Sequence, residues 1–410
     1  MPKNVISGLL VNNYSDSTNS IEGSLQEILN VTRQHLGMDI AFISQFTNQK
    51  RLFKFVDAND DFTAIQVGDY DEIEETYCKK IVDGELTGII NDSALNPITK
   101  NLPVTQKLSI GSYLGVPITL SDGEVYGTLC CFKNQADPSL MERDLLLLQA
   151  FSDLSSKLID NSLKASNKFN DMKLNIKAML DSERLTVCYQ PIYDVENDVI
   201  AGFESLSRFQ SDPYRAPDIW FNEAAQVGLG EELELMAIKN ALKGLNIIPQ
   251  QSYISFNISP EYILNGSLER LLGDIPSNRI VLEVTEHAPV TNYHDFRNAL
   301  EPLRQKGIRL AIDDAGAGYA SLQHILELNP DIIKMDISLI RDIHLDAKRR
   351  ALASALIAFA REINCAVMAE GVECKDELIT LTKLGVNKVQ GYFIGRPMPL
   401  ADAAELTINL

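Results

Sequence analysis

The sequence predicts two folded units in one chain, an α+β sheet domain followed by an α/β barrel of eight short strands. Three observations predict it. At 410 residues the chain is long for one domain. Residues 17–160 mix helical periodicity with alternating strands and a tight hairpin. From residue 183 onward, short apolar runs alternate with helical segments, which is the rhythm of βα units.

With 45% hydrophobic and 23% charged residues the chain is ordinary globular material. A net charge of −19 argues against a broad basic face for a nucleic-acid polymer, although a small phosphate-bearing substrate fits if metal ions or local Arg/Lys reverse the field. The six cysteines, Cys78, Cys130, Cys131, Cys188, Cys365 and Cys374, show no C-x-x-C pair and no metal-ligand spacing. They read as reduced thiols of a cytoplasmic protein. The opening residues are too polar for a signal peptide, and no later stretch reaches membrane-spanning length, so no membrane insertion is expected.

Residues 1–16 read as a tail and 17–160 as the sheet domain. Apolar residues from Ile21 to Leu36 fall at helical spacing and Gly37 closes that helix. "MDIAFISQFTN" and "KRLFKFVDA" read as strands joined by a turn at Asn48 to Lys50, "ETYCKKIVDG" as a helix and "GIINDSA" as a strand. "SIGSYLGVPITLSDGEVYGTLCCFKNQ" reads as a β-hairpin turning at "SDGE".

The run "GSYLGVPI", "DGEVYGTLCCF" and "ERDLLLLQAFSDLSSKLI" resembles the closing half of a GAF sensor domain. That resemblance implies a pocket above the sheet for a ligand of unknown identity. The alternative is a domain that binds nothing and serves only to dimerise. Cys78 as a chromophore anchor and His35 as a haem ligand are weighed against plain packing, which is the commoner role of such residues.

Residues 161–182 read as a helical connector. Leu147, Phe151, Leu154, Leu158, Ala165, Phe169, Met172, Ile176 and Met179 recur at spacings of three and four across it, with Asn161 at a missed position. This predicts either one long helix pairing with a second copy, hence a homodimer, or two helices broken near Asn161–Asn167.

Residues 183–410 carry the strands "RLTVCYQPIYD", "DVIAGFESLSRF", "SYISFNIS", "RIVLEVTE", "RLAIDD", "DIIKMD", "AVMAEG" and "NKVQGYF". This predicts a TIM-type (β/α)8 barrel. The first two strands are joined by only a few turn residues, so the barrel starts irregularly, with an antiparallel first strand. Glu204, Asn257, Glu283, Asp313 with Asp314, Lys334, Glu370 and Gln390 fall at or near the ends of different strands, which a barrel brings to one face. Two adjacent aspartates at a strand mouth repel each other, and a divalent cation relieves that; the bland alternative is a solvated loop pair. Oxygen donors without His or Cys indicate Mg²⁺ or Mn²⁺, two ions per barrel, suited to in-line displacement at a phosphodiester.

In order and spacing, "QPI", "FESLSRF", "FNIS", "LEVTE", "DDAGAGYASL", "IIKMD", "AEGVE" and "QGYFIGRP" resemble the EAL-domain phosphodiesterases that open cyclic di-GMP to linear pGpG. The resemblance implies that Glu204, Asn257, Glu283 and Asp313 hold one metal, that Asp313 and Asp314 serve the second, and that Glu370 stands beside the second as ligand or general base. It implies Lys334 as the group that orients the attacking water or neutralises charge, with a salt bridge to Asp336 as its bland reading. It further implies Arg208 as a phosphate contact, Gln190, Gln390 and Asp336 as substrate-side residues, and Glu286 as the residue holding the loop after Asp313. His287, His294, His324 and His344 match no such role and read as structural. The sequence departs from the family pattern at Ser205, Ala315 and Ala225. Calcium, with larger and looser coordination, is expected to inhibit. The alternatives to an active enzyme are a receptor that binds cyclic di-GMP without cutting it and a different metal-dependent hydrolase on the same barrel.

Overall fold

The computed structural model describes residues 17–59, 62, 64–182, 184–273, 275, 277–285, 290, 292–315 and 320–407. Contacts divide the chain into two compact units, residues 1–169 and 170–410. Among the described residues, no helix is long and apolar enough to cross a membrane.

The first unit runs through α1 (Ser17–Leu36), β1 (Ile40–Thr47), β2 (Lys50–Ala58), β3 (Tyr70–Glu72), α2 (Tyr77–Val82), β4 (Ile89–Ile90), α3 (Pro103–Lys107), β5 (Ser112–Thr119) and β6 (Val125–Lys133). The six strands form one sheet in the order β3-β2-β1-β6-β5-β4. Asn48 and Gln49 both take positive φ, the conformation that a two-residue hairpin turn demands. Side chains alternate across the sheet with period two. Ala41, Ile43, Leu114, Leu129 and Cys131 pack against α1 and the start of the next helix, while Ile40, Phe42, Tyr113, Cys130 and Phe132 pack with Tyr77 and Cys78 of α2. Arg51 is buried on this second side, paired with Asp71 and donating to the Cys78 sulfur at 3.2 Å. Cys78 itself is 0% exposed and hydrogen-bonded within the core, and His35 is exposed at the end of α1.

The next helix, α4 (Glu142–Leu180), is continuous, so of the two alternatives it is the single long helix that forms. Its apolar stripe is divided between two cores. Leu147, Phe151, Leu154 and Leu158 pack in the first unit, and Met172, Ile176 and Met179 in the second. Leu163 and Phe169 remain exposed between them.

The second unit continues with β7 (Leu185–Asp194), β8 (Val199–Phe209), α5 (Pro217–Gln226), α6 (Gly230–Leu242), β9 (Tyr253–Asn257), α7 (Pro260–Leu264), α8 (Ser267–Leu272) and β10 (Ile280–Thr285). It ends with α9 (Tyr293–Gln305), β11 (Arg309–Ala315), α10 (Ala320–Leu328), β12 (Ile332–Met335), α11 (Ile337–Ile340), α12 (Ala347–Glu362), β13 (Ala366–Ala369), α13 (Lys375–Leu384), β14 (Lys388–Gln390) and α14 (Leu400–Ala404). β7 to β14 close into a barrel in chain order, β14 returning to β7. β7 is antiparallel to both neighbours, and the other adjacent pairs are parallel.

Period two again sorts the side chains. Leu282, Val284, Leu310, Ile312, Ile333 and Val367 belong to the large core shared with the helices. Their alternates Ile192, Tyr253, Val281, Ala311, Ile332 and Met368 form a separate apolar cluster, the packed interior of the barrel. Two residues further towards the other end of each strand, that same face carries Gln190, Ser255, Glu283, Asp313, Lys334 and Glu370. The polar layer is therefore stacked directly on an apolar floor.

Candidate active site

Lys334 stands at the centre of the polar layer. It is 1% exposed, and its Nζ lies 2.7 Å from Glu283 Oε2, 2.7 Å from Glu370 Oε1, 3.0 Å from Asp313 Oδ1 and 3.9 Å from Glu204 Oε2. Burial alone would discharge the ammonium, but Asp313, Glu204, Glu283 and Glu370 outweigh it and hold the lysine well above its usual range. The bland pairing with Asp336 is not what forms: the Asp336 side chain accepts from Ser338 N at 2.8 Å and caps α11.

One ammonium does not balance the acids around it. Burial, reinforced by Glu204 and Asp313, pushes the Glu283 carboxyl up to about 8 despite Lys334. Burial likewise raises Glu370 well above the ordinary carboxylate range. Glu283 Oε1 is buried with no hydrogen-bond partner. An uncompensated buried carboxylate is costly unless a proton or a cation joins it.

The end of β11 supplies the second feature. Pairing with β12 shifts register between Ile312 and Ala315, and Asp314 within the shift has φ of 58°. Such a bulge inserts a residue and re-aims its neighbours. Asp314 N donates to Asp313 Oδ1 at 2.9 Å. One carboxylate oxygen each from Asp313, Asp314 and Glu370 lies within 4.8 Å of the others, a spacing open to a cation. The donors are all oxygen, and the cluster carries excess negative charge, so the residues present fit hard divalent ions.

Amides close the other side. Gln390 Nε2 donates to Glu204 Oε2 at 2.6 Å and to Gln190 Oε1 at 3.1 Å, and Gln190 Nε2 donates to Gly395 O at 3.2 Å. A cavity of about 390 Å³ is lined by Gln190, Glu204, Asp313, Asp314, Lys334, Asp336, Glu370 and Gln390. Arg208 and Asn257 line an adjoining cavity of about 470 Å³, and Leu206 borders both. Asn257 is in register with Glu283, on the next strand, and is exposed. Arg208 donates to Ser207 O at 2.9 Å. Glu286 lies outside the described residues, as does His287. Ser205 donates to Ser255 O at 2.8 Å, so its extra hydroxyl is satisfied within the wall.

The barrel unit matches a known family. The family model for the EAL domain matches residues 174–397. The chain belongs to the EAL domain family. The GAF domain model matches residues 20–159, so the sheet unit is a GAF domain ahead of the EAL barrel. A probable cyclic di-GMP phosphodiesterase, PdeA of Escherichia coli, is 33% identical over 55% of this chain and 32% of its own length. An uncharacterized signaling protein of Caulobacter vibrioides is 28% identical over 83% of this chain and 41% of its own. The chain thus spans about a third to two-fifths of the curated relatives it matches. Among solved structures, the PaMucR phosphodiesterase in complex with c-di-GMP is 28% identical, with a TM-score of 0.51 over 56% of this chain and 98% of that one. The EAL enzyme Bd1971, 20% identical with a TM-score of 0.55 over 89% of this chain and 92% of that one, shows the fold alone.

Proposed function

We propose that this chain hydrolyses cyclic di-GMP to linear pGpG at the EAL barrel, using two divalent ions, Mg²⁺ or Mn²⁺, under control of the GAF domain. The observation that carries the reading is Lys334 ringed by Glu204, Glu283, Asp313 and Glu370, beside the Asp313–Asp314–Glu370 triad. Glu204, Asn257, Glu283 and Asp313 would hold one ion and Asp313 and Asp314 the other, with Glu370 beside it. When bound, the ions supply a nucleophilic water and charge neutralisation at the phosphodiester.

The chain's own side chains do the rest. Lys334 orients the attacking water and neutralises charge developing on the phosphate, and its burial keeps that charge undiluted by solvent. Arg208 contacts the substrate phosphate from the adjoining cavity. Gln390 fixes Glu204 and, with Gln190 and Asp336, faces the substrate. By the family resemblance, Glu286 would hold the loop after Asp313. The chain works as a homodimer through α4. Support also comes from the phosphodiesterase names of similar proteins and from the c-di-GMP complex of PaMucR.

The test is incubation of the purified full chain with cyclic di-GMP and Mg²⁺ or Mn²⁺, with Glu204→Ala and Lys334→Ala as controls and pGpG followed by mass spectrometry. Metal-dependent pGpG formation that both variants abolish is expected. Tight binding without product would make the chain a receptor, and no binding would overturn both readings. Ca²⁺ should suppress the reaction, since its looser coordination disturbs the two-ion spacing.

A further inference from the structure

A second group of metal-binding side chains lies outside the carboxylate ring. His344 follows β12 in the segment between α11 and α12, and Cys374 and Glu377 open α13 after β13. One ligand atom from each lies within 4.8 Å of the other two. The sequence gives no hint of it, because His344 is thirty positions upstream and no cysteine spacing marks the place.

Helix capping explains part of this group. Cys374 is the N-cap of α13, and Glu377 completes a capping box with it. Glu377, only 3% exposed, accepts from Glu373 N at 2.8 Å and Cys374 N at 3.2 Å through one oxygen, and from Asp342 N at 2.8 Å through the other. That carboxylate is held rigidly between the segments after β12 and β13. Capping does not explain the imidazole. His344 Nδ1 is shielded from solvent with no hydrogen-bond partner, and a buried ring nitrogen left so is costly. A cation held among these ligand atoms would meet the imidazole, the half-buried Cys374 sulfur and the fixed Glu377 carboxylate together.

We propose that His344, Cys374 and Glu377 form a binding site for a zinc-class transition-metal ion, distinct from the oxygen-only rim. Thiolate, imidazole and carboxylate with one water make an ordinary tetrahedral zinc set. Ligand atoms on such an ion stand about 3–4 Å apart, a spacing compatible with a group whose members lie within 4.8 Å of one another. The Cys374 thiol proton is released to solvent as the metal–sulfur bond forms. Mg²⁺ does not compete, because it takes oxygen donors and leaves thiolate alone. The ion would tie the segment that follows Asp336 to the segment that follows Glu370. The existing Arg341 Nη2–Glu373 Oε1 pair, at 2.7 Å, already joins them at the surface.

Co²⁺ reports this site without interference from the rim, since only a sulfur ligand gives a thiolate-to-cobalt charge-transfer band in the near ultraviolet. The full chain, kept reduced with a phosphine and with Mg²⁺ in excess, is titrated with Co²⁺. The expected result is a saturable band that Zn²⁺ erases, that Cys374→Ser abolishes, and whose midpoint His344→Ala weakens at least tenfold. Serine is itself a good N-cap, so Cys374→Ser keeps α13 and should melt like the parent without metal. No band in the parent chain overturns the proposal. So does a band of equal strength in Cys374→Ser, or an unchanged midpoint in His344→Ala.

Discussion

Replacing Lys334 with methionine removes the central ammonium while keeping a side chain of similar length, so no large cavity is left behind. What changes is charge. Three carboxylate oxygens within 3.0 Å of Nζ, and a fourth at 3.9 Å, lose their cation. Breaking a buried pair by removing one partner costs about 3–5 kcal/mol. The ring here is larger than a pair, which places the expected loss at the upper end. For a unit of this size, each kcal/mol lowers the melting temperature by about 2–4 °C, so the drop should be roughly 10–20 °C. The chain's single tryptophan, Trp220, is buried in the barrel unit and stacked on Phe209, so its fluorescence follows that unit alone. In chelator the Lys334→Met transition should fall by that amount, and Mn²⁺ should recover most of it by supplying the missing positive charge. An unshifted Trp220 transition in chelator would show that Lys334 does not balance these acids. A lowered transition that Mn²⁺ leaves unmoved would show that the cluster does not take the ion.

Three further expectations follow from other parts of the chain. Gly371, next to Glu370, has φ of +68°, and a Cβ there would meet Ile337 Cγ1 at 2.2 Å. Gly371→Ala should therefore cost about 1–2 kcal/mol in backbone handedness, with more from the clash, and should displace Glu370; turnover within twofold of the parent would contradict this. In the GAF domain, burial alone would raise the Asp71 carboxyl, but Lys107 and Arg51 outweigh it and hold it below its usual value. A depressed folded pKa contributes stability that is present above about pH 4 and lost as pH falls through the folded value. Asp71→Asn should thus be destabilised by about 1–3 kcal/mol at pH 7 and show a flatter loss of far-ultraviolet circular dichroism between pH 5 and 2; a parallel acid profile would refute it. Finally, Phe169 is 41% exposed on α4. Phe169→Cys should give a disulfide-linked dimer on a non-reducing gel, and a monomer alone would count against pairing through this helix.

Much of this architecture was readable from period and punctuation. The hairpin at Asn48–Gln49, the eight barrel strands and the reversed first strand all follow from alternating apolar runs and short turns. The polar layer was readable too, because two positions beyond Val281, Ala311, Ile332 and Met368 stand Glu283, Asp313, Lys334 and Glu370. What escaped depended on geometry that a one-dimensional pattern does not hold. The bulge that turns Asp314 through positive φ leaves no mark in "DDAGAGY". The separation of Arg208 and Asn257 into an adjoining cavity depends on where Leu206 stands between them. The continuity of α4 was ambiguous because Asn161 interrupts a stripe whose two halves serve different cores. Arg51 reads as a strand residue, and only the fold reveals that it is buried against Cys78 and Asp71.

The reversed direction of β7 sets where the chain enters the barrel. Most eight-stranded α/β barrels admit their first strand from underneath, far from the chemistry. Here Leu185 pairs with Phe209, one residue past Arg208, so entry is at the mouth. Ile176 and Met179, at the tail of the incoming helix, pack with Phe209 and Trp220. The incoming helix therefore meets the barrel at the end that carries the polar layer, not at its apolar floor.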